Sequence, residues 1–379
     1  MTNEQRALLE LIKTSQFGSS EEISLDDVNM NALYEEASQQ AVLGLVASII
    51  PSKYLDKKWL DAKHQQESAY IRYCNAQDEL KDVLDKADIP FVILKGCAAT
   101  IYYKNPMYRS MGDIDFLVPQ DRYEKAIIVL KEAKYSIGNE TERHISFHKG
   151  NYCFELHHHF SHDIDIEDCL FEGLKERIIN SIDGHSFTML PKLSNGLVLL
   201  DHMRAHLKSA LGLRQVIDWM MYVYCNLDDN FWKNEFLSIA HEKGVDTLAI
   251  TATRMCQIYL GLPDTITWCK SADEVLCNQF LVSLLVSGNF GRKNGNGNSV
   301  ETVTTEIKQY GLFHWLQIAG EHNWVAYHKH HWLKPLCWVY QMFRYTLQFT
   351  KARRINKEIK KDFERSNARY ELLKKLNII

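Results

Sequence analysis

The spacing of apolar positions changes twice along this 379-residue chain. Residues 1–85 follow a helical period: Leu8, Leu9, Leu11 and Ile12 open one amphipathic stretch, Ala41 to Ile50 forms a short apolar one, and Tyr70 to Asp88 runs straight into a strand. Between residues 86 and 190 strand and helix signals alternate. Ile89 to Leu94 and Gly112 to Val118 read as strands, and Arg122 to Lys134 reads as a helix. His144 to His148 and Tyr152 to His159 read as two strands joined by the hairpin signal Lys149-Gly150-Asn151. From Asn195 the helical period returns, most clearly in Leu197 to Ala210, Arg214 to Tyr224 and Asp246 to Leu260. Ser287 to Ser299 has the Gly-, Asn- and Ser-rich composition of a surface loop. The pattern predicts an α+β protein with a strand-and-helix core at 86–190, an N-terminal helical region at 1–85 and a C-terminal helical domain at 191–379.

The chemistry concentrates in Gly112-Asp113-Ile114-Asp115-Phe116-Leu117-Val118. Side chains alternate faces along a strand, so Asp113 and Asp115 point one way while Ile114 and Phe116 point the other. Two neighbouring carboxylates repel unless a cation lies between them, and a hard divalent ion such as Mg²⁺ takes oxygen ligands while leaving positions for water and phosphate. Upstream, the strand at 89–94 runs into Lys95-Gly96-Cys97-Ala98-Ala99, whose small residues allow backbone amides close to a phosphate. Arg109 adds a cation just ahead of the Asp pair. Downstream, Cys153, Glu155, His157 and His159 share one strand face and Tyr152, Phe154 and Leu156 the other. Glu155 is thereby expected beside the Asp pair.

Three separated motifs, Leu94-Lys95-Gly96, Arg109-Ser110-Met111-Gly112-Asp113-Ile114-Asp115-Phe116-Leu117-Val118 and Glu155-Leu156-His157, follow one another in order. In this the chain resembles the nucleotidyltransferase superfamily of DNA polymerase beta, and above all its uncharacterised bacterial branch. The resemblance covers residues 89–160 closely and extends loosely to His202, His206, Arg214 and Asp218. It implies a polymerase-beta-like core that moves a nucleoside monophosphate from a nucleoside triphosphate to an acceptor hydroxyl and releases pyrophosphate. Asp113, Asp115 and Glu155 would be the catalytic and metal-holding residues for two Mg²⁺ or Mn²⁺ ions, with Glu155 completing the second site or acting as base. Lys95, Gly96 and Arg109 would bind the nucleotide. The superfamily usually has Gly-Ser after its first strand, whereas this chain has Gly96-Cys97. A thiol is a poor hydroxyl substitute on a phosphate, which shifts triphosphate binding onto backbone amides, Lys95 or Arg109. The alternative is a catalytically inactive nucleotide- or partner-binding module of the same fold. The acceptor, whether small molecule, sugar or macromolecule, is expected against the polar groups His202, His206, Arg214 and Asp218.

Composition adds limits. Hydrophobic residues at 46% and charged residues at 24% are ordinary for a globular protein, and a net charge of -4 gives no global signal for nucleic acid. The nine cysteines include no Cys-x-x-Cys pair, which suits reduced thiols and a cytoplasmic protein. No apolar run approaches the ~20 residues of a membrane span. A zinc hydrolase built on the histidines is a distant alternative. His144 and His148 fall in a strand, His202 and His206 lack the neighbouring Glu of a zinc-protease motif, and successive residues of His157-His158-His159 face opposite ways. His157 remains the candidate active-site neighbour because it shares the face of Glu155. Lys351 to Ile379 carries Ile355, Ile359 and Phe363 among basic residues and is expected as a docked terminal helix, and Trp315, Trp324, Trp332 and Trp338 as core.

Overall fold

The computed structural model describes residues 1–18, 23–161, 164–209, 211–289, 306–353 and 359–379, with the side chains of 209, 328, 329, 345, 347–353 and 359–365 outside the description. The chain forms two compact units, residues 1–293 and 294–379, described separately.

The first unit opens with α1 (Asn3–Phe17), α2 (Met30–Gln39), α3 (Leu43–Ala47) and the long α4 (Lys57–Lys86). Helix starts coincide with side chains that satisfy orphan amides: Thr2 and Gln5 form a capping box on α1, and Asp56 accepts from the Trp59 amide at α4. The expected helix from Tyr70 is the second half of α4. Its end is set by Asp88, at φ 53, which turns the chain toward β1.

Seven strands follow, with three short helices among them: β1 (Val92–Leu94), α5 (Gly96–Thr100), β2 (Ile114–Leu117), α6 (Tyr123–Glu132), β3 (Ser136–Glu140), β4 (His144–Lys149), β5 (Tyr152–His157), α7 (Glu167–Lys175), β6 (Ile178–Ile182) and β7 (His185–Met189). They form one mixed sheet in the order β3-β4-β5-β2-β1-β7-β6. β2 runs antiparallel to β1 and parallel to β5, while β1 and β7 are parallel. Phe116, Phe154, Leu156 and Ile114 face the same core as Tyr73, Leu80 and Leu84 of α4, which covers that side of the sheet. The opposite face of β2 and β5 is thereby left to their polar positions.

Two strands are shorter than their sequence pattern. β1 starts at Val92 because Pro90, lacking an amide hydrogen, cannot donate to the ladder. β5 stops at His157 because the amides of both His158 and His159 turn to the Arg143 carbonyl. Beyond the sheet come α8 (Lys192–Ser209), α9 (Leu213–Asn226), α10 (Asp229–Phe231), α11 (Leu237–Glu242), α12 (Asp246–Leu260) and α13 (Glu274–Ser287). The expected loop at 287–299 lies outside the described residues from 290 onward.

In the second unit Trp315 and Leu316 are buried, with Ile307, Ala319 and Trp338 packed against them. Trp324 stacks on Tyr340 at 5.0 Å. Trp332, expected in the core, is instead 74% exposed. Most of the basic stripe of 351–379 falls on side chains outside the description. Among the described residues no helix is long and apolar enough to cross a membrane.

Candidate functional site

The site lies where β1 ends beside β2 and β5. Lys95, the residue after β1, adopts φ 51 and ψ -138, a backbone region that non-glycine residues seldom occupy. Gly96 follows at φ +39, and a Cβ there would meet the Tyr73 hydroxyl oxygen at 2.5 Å. That hydroxyl donates to the Asp113 carbonyl over 2.9 Å, so α4 braces the entry to β2 through the space that Gly96 leaves. Only glycine suits both demands.

Register then brings the acids together. Asp115 lies beside Leu94 on one side and Glu155 on the other, and Leu117 beside His157. Asp113, Asp115 and Glu155 each present a carboxylate oxygen, all within 4.8 Å of one another. Asp113 is exposed, whereas Asp115 is only 3% exposed. The donor set is oxygen alone, is acidic, and opens on solvent at Asp113, which fits a hard divalent ion that keeps waters for exchange with phosphate.

One oxygen of Asp115 does double duty. Lys95 Nζ lies 2.9 Å from Asp115 Oδ1. His157 Nε2 lies at the same 2.9 Å and, facing an ionised acceptor, is the donor. Burial opposes ionisation of Asp115, but Lys95 and His157 outweigh it and hold the carboxyl well below the usual range. Glu155 behaves in the opposite way: burial, then the charges of Asp115 and Asp113, push its carboxyl up to about 8. Burial and neighbouring His157 lower the His144 imidazole to about 4.

Arg109 also lines the cleft, with its guanidinium engaged by Asp218. Its Nε and Nη2 each bond to a different oxygen of Asp218 at 2.7 Å, and Tyr103 donates to Asp218 Oδ1 at 2.6 Å. Asp218 on α9 is thus paired with the loop before β2. Arg214 remains on the cleft, with a single 3.4 Å bond from Nη1 to the Ser110 carbonyl and no hydrogen-bond partner for Nε among the described residues. Burial, then the nearby Arg109, lowers its affinity for a proton.

These groups line a cleft of about 210 Å³ that includes Lys95, Asp113, Asp115, Glu155, Arg143 and Arg214. His202 and His206 also line it, their Nε2 atoms 2.8 Å apart. The volume is below the ~300–1,000 Å³ of small-molecule pockets, so it suits the reacting end of a ligand rather than a whole one. Cys97 is buried, its thiol directed to Cys74 behind the cleft. Of the His157-His158-His159 run only His157 faces the acids: His158 meets Tyr123 and His159 meets Glu167. Arg143 and Tyr73 were not singled out by sequence, and neither sits in a motif that would have marked it.

The model of the uncharacterised nucleotidyltransferase family matches residues 26–261, more than half of the chain. The chain belongs to this family. The match spans the sheet, the acidic cleft and helices α8 to α12, so it includes every site residue described above. No curated protein matches. Among solved structures similar to it is ANT(2'')-Ia in complex with adenylyl-2''-tobramycin, at 10% identity and TM-score 0.35, covering 45% of this chain and 98% of that one. Another is an antigenic nucleotidyltransferase-like protein from Paracoccidioides brasiliensis, at 11% identity and TM-score 0.32, covering 53% and 96%. Membership makes this nucleotidyltransferase an enzyme of nucleotidyl transfer in the broad sense.

Proposed function

We propose that the protein transfers a nucleoside monophosphate from a nucleoside triphosphate to an acceptor hydroxyl, with Mg²⁺ or Mn²⁺ held by Asp113, Asp115 and Glu155. The observation that carries this reading is the convergence of three carboxylates within 4.8 Å on one sheet face. Bound there, two divalent ions would neutralise the phosphates and make the acceptor hydroxyl more acidic. The protein's own groups do the rest. Lys95, fixed against Asp115, adds positive charge where the phosphate chain enters. Arg214, with donors unspent, faces the same cleft and supplies the guanidinium that Arg109 commits to Asp218. The acceptor oxygen forms its bond to the α-phosphorus as the bond to the β-phosphate bridging oxygen breaks. Pyrophosphate leaves, and the hydroxyl proton passes to a carboxylate oxygen of Glu155. His157 holds Asp115 in place through its 2.9 Å bond.

A second reading, a nucleotide-binding module without turnover, has one observation in its favour: Lys95 and His157 already compensate the charge of Asp115. Pyrophosphate release separates the two. Each nucleoside triphosphate is incubated with the protein and Mg²⁺ or Mn²⁺, alone and with candidate hydroxyl acceptors. Release that depends on the ion supports transfer, whereas nucleotide binding without release under every condition supports the module.

A further inference from the structure

Glu155 belongs to a second group of potential ligands. His144, Glu155 and His157 also present one ligand atom each within 4.8 Å of one another, and this set contains two imidazoles. We propose that it is a nitrogen-containing metal site, next to the carboxylate site and sharing Glu155 with it, that takes a borderline divalent ion such as Co²⁺, Ni²⁺ or Zn²⁺. This deepens the metal-dependent reading above and rests on it for the role of Glu155.

The site is built by strand register. His144 opens β4 directly opposite His157, and Glu155 lies two residues back along β5 on the same face. The two rings stand 5.2 Å apart with the carboxylate between their reach. His144 Nε2 lies 3.6 Å from Glu155 Oε1, and His157 Nε2 lies 3.8 Å from Glu155 Oε2. Both separations are too long for hydrogen bonds. They are close to the ~3.4 Å between neighbouring ligands that surround one ion at ~2.0–2.1 Å.

Hydrogen bonding engages the ring of His157 but not that of His144 among the described residues. The ring of His144 makes no hydrogen bond among the described residues, although it is mostly buried, with its side chain 19% exposed. Lys95 Nζ is paired with Asp115 Oδ1, the oxygen that His157 Nε2 also meets. His157 Nε2 donates its proton to Asp115, and an ion at that nitrogen would take the place of the proton, leaving Asp115 as a further oxygen within reach. Ion chemistry follows from the donors. Imidazole nitrogen suits borderline transition ions, whereas Mg²⁺ prefers oxygen and gives up its waters reluctantly.

The test titrates the metal-free, full-length protein with Co²⁺ and follows the visible absorption that Co²⁺ acquires with nitrogen ligands in a low-coordinate site. Wild type should saturate with such a band. His144→Ala should lose the band or weaken Co²⁺ by at least the roughly 10–100-fold that loss of an outer-shell partner costs. His144→Gln, which keeps a polar group at the strand start, should do the same, while both variants bind Mg²⁺ in calorimetry as wild type does. Asp113→Asn, which touches only the carboxylate set, should keep the Co²⁺ band. A wild-type titration without the band would overturn the proposal, and so would a band that survives both His144 substitutions. Since the ion itself is read, absence of pyrophosphate release would count against the nucleotidyl-transfer reading alone.

Discussion

Arg109 grips Asp218 through two parallel 2.7 Å bonds, joining the loop before β2 to α9 across 109 residues of sequence. Both side chains are almost wholly buried, 5% and 2% exposed. A pair of this kind gains little over an apolar alternative, but removing one partner strands a charge out of water. Asp218→Asn should therefore cost about 3–5 kcal/mol in denaturant unfolding. A loss below about 1 kcal/mol, the range of exposed pairs, would contradict the assignment.

The two aspartates of the pair should respond differently to neutralisation. Asp113 is exposed and lies against Asp115 and Glu155, with Lys95 and Arg214 also near, so Asp113→Asn should leave the melting temperature close to that of wild type while weakening Mg²⁺ binding. Asp115→Asn removes the counter-charge of Lys95 and the acceptor of His157, and should destabilise by about 1–3 kcal/mol as well as weaken the ion. Thermal melts of the two variants side by side decide this; equal melting temperatures would contradict the pairing of Asp115 with Lys95.

Glu155 gives the metal-free protein a definite pH response. Burial, then the charges of Asp115 and Asp113, raise its carboxyl from the ordinary 4.5 to about 8. A group raised on folding contributes stability that is full below about 4.5 and is lost as pH rises through about 8. A divalent ion binds the ionised form, so Mg²⁺ should bind more tightly as pH rises toward 8 and should release up to one proton per chain near pH 7. Calorimetry in buffers of different ionisation enthalpy reads the proton directly. Glu155→Gln should abolish the release, and a wild-type value of zero would contradict the raised carboxyl.

Arg214 tests the far wall of the cleft. Its guanidinium is desolvated beside Arg109 and holds one long bond, so removing it relieves more than it breaks. Arg214→Ala should keep the melting temperature within a degree or two of wild type and weaken nucleotide affinity. A loss of several degrees with affinity intact would make the residue structural.

Much of this site is legible in sequence because strand geometry has a period of two. Asp113 and Asp115 fall on one face of their strand and Glu155 and His157 on one face of theirs by counting alone, and the apolar Ile114, Phe116, Phe154 and Leu156 fix which face is buried. What counting cannot supply is partnership at long range. Nothing local marks Asp218 as the destination of Arg109, or Tyr73 as the brace that requires Gly96. The end of β5 was equally hidden, since two successive histidine amides leave the ladder for a carbonyl at Arg143. His144 looked like a strand histidine without a role, and it is the register with His157 that brings it to the acids.

The central claim is that the acidic cleft moves the α-phosphoryl end of a nucleotide. Triphosphate labelled separately at the α and γ positions, incubated with Mg²⁺ or Mn²⁺, the protein and a panel of hydroxyl acceptors, tests it most directly. The account predicts that the α label becomes attached to an acceptor, that the γ label appears in pyrophosphate, and that Asp113→Asn abolishes both. Transfer of the γ label to the acceptor, or α transfer undiminished in Asp113→Asn, would contradict it.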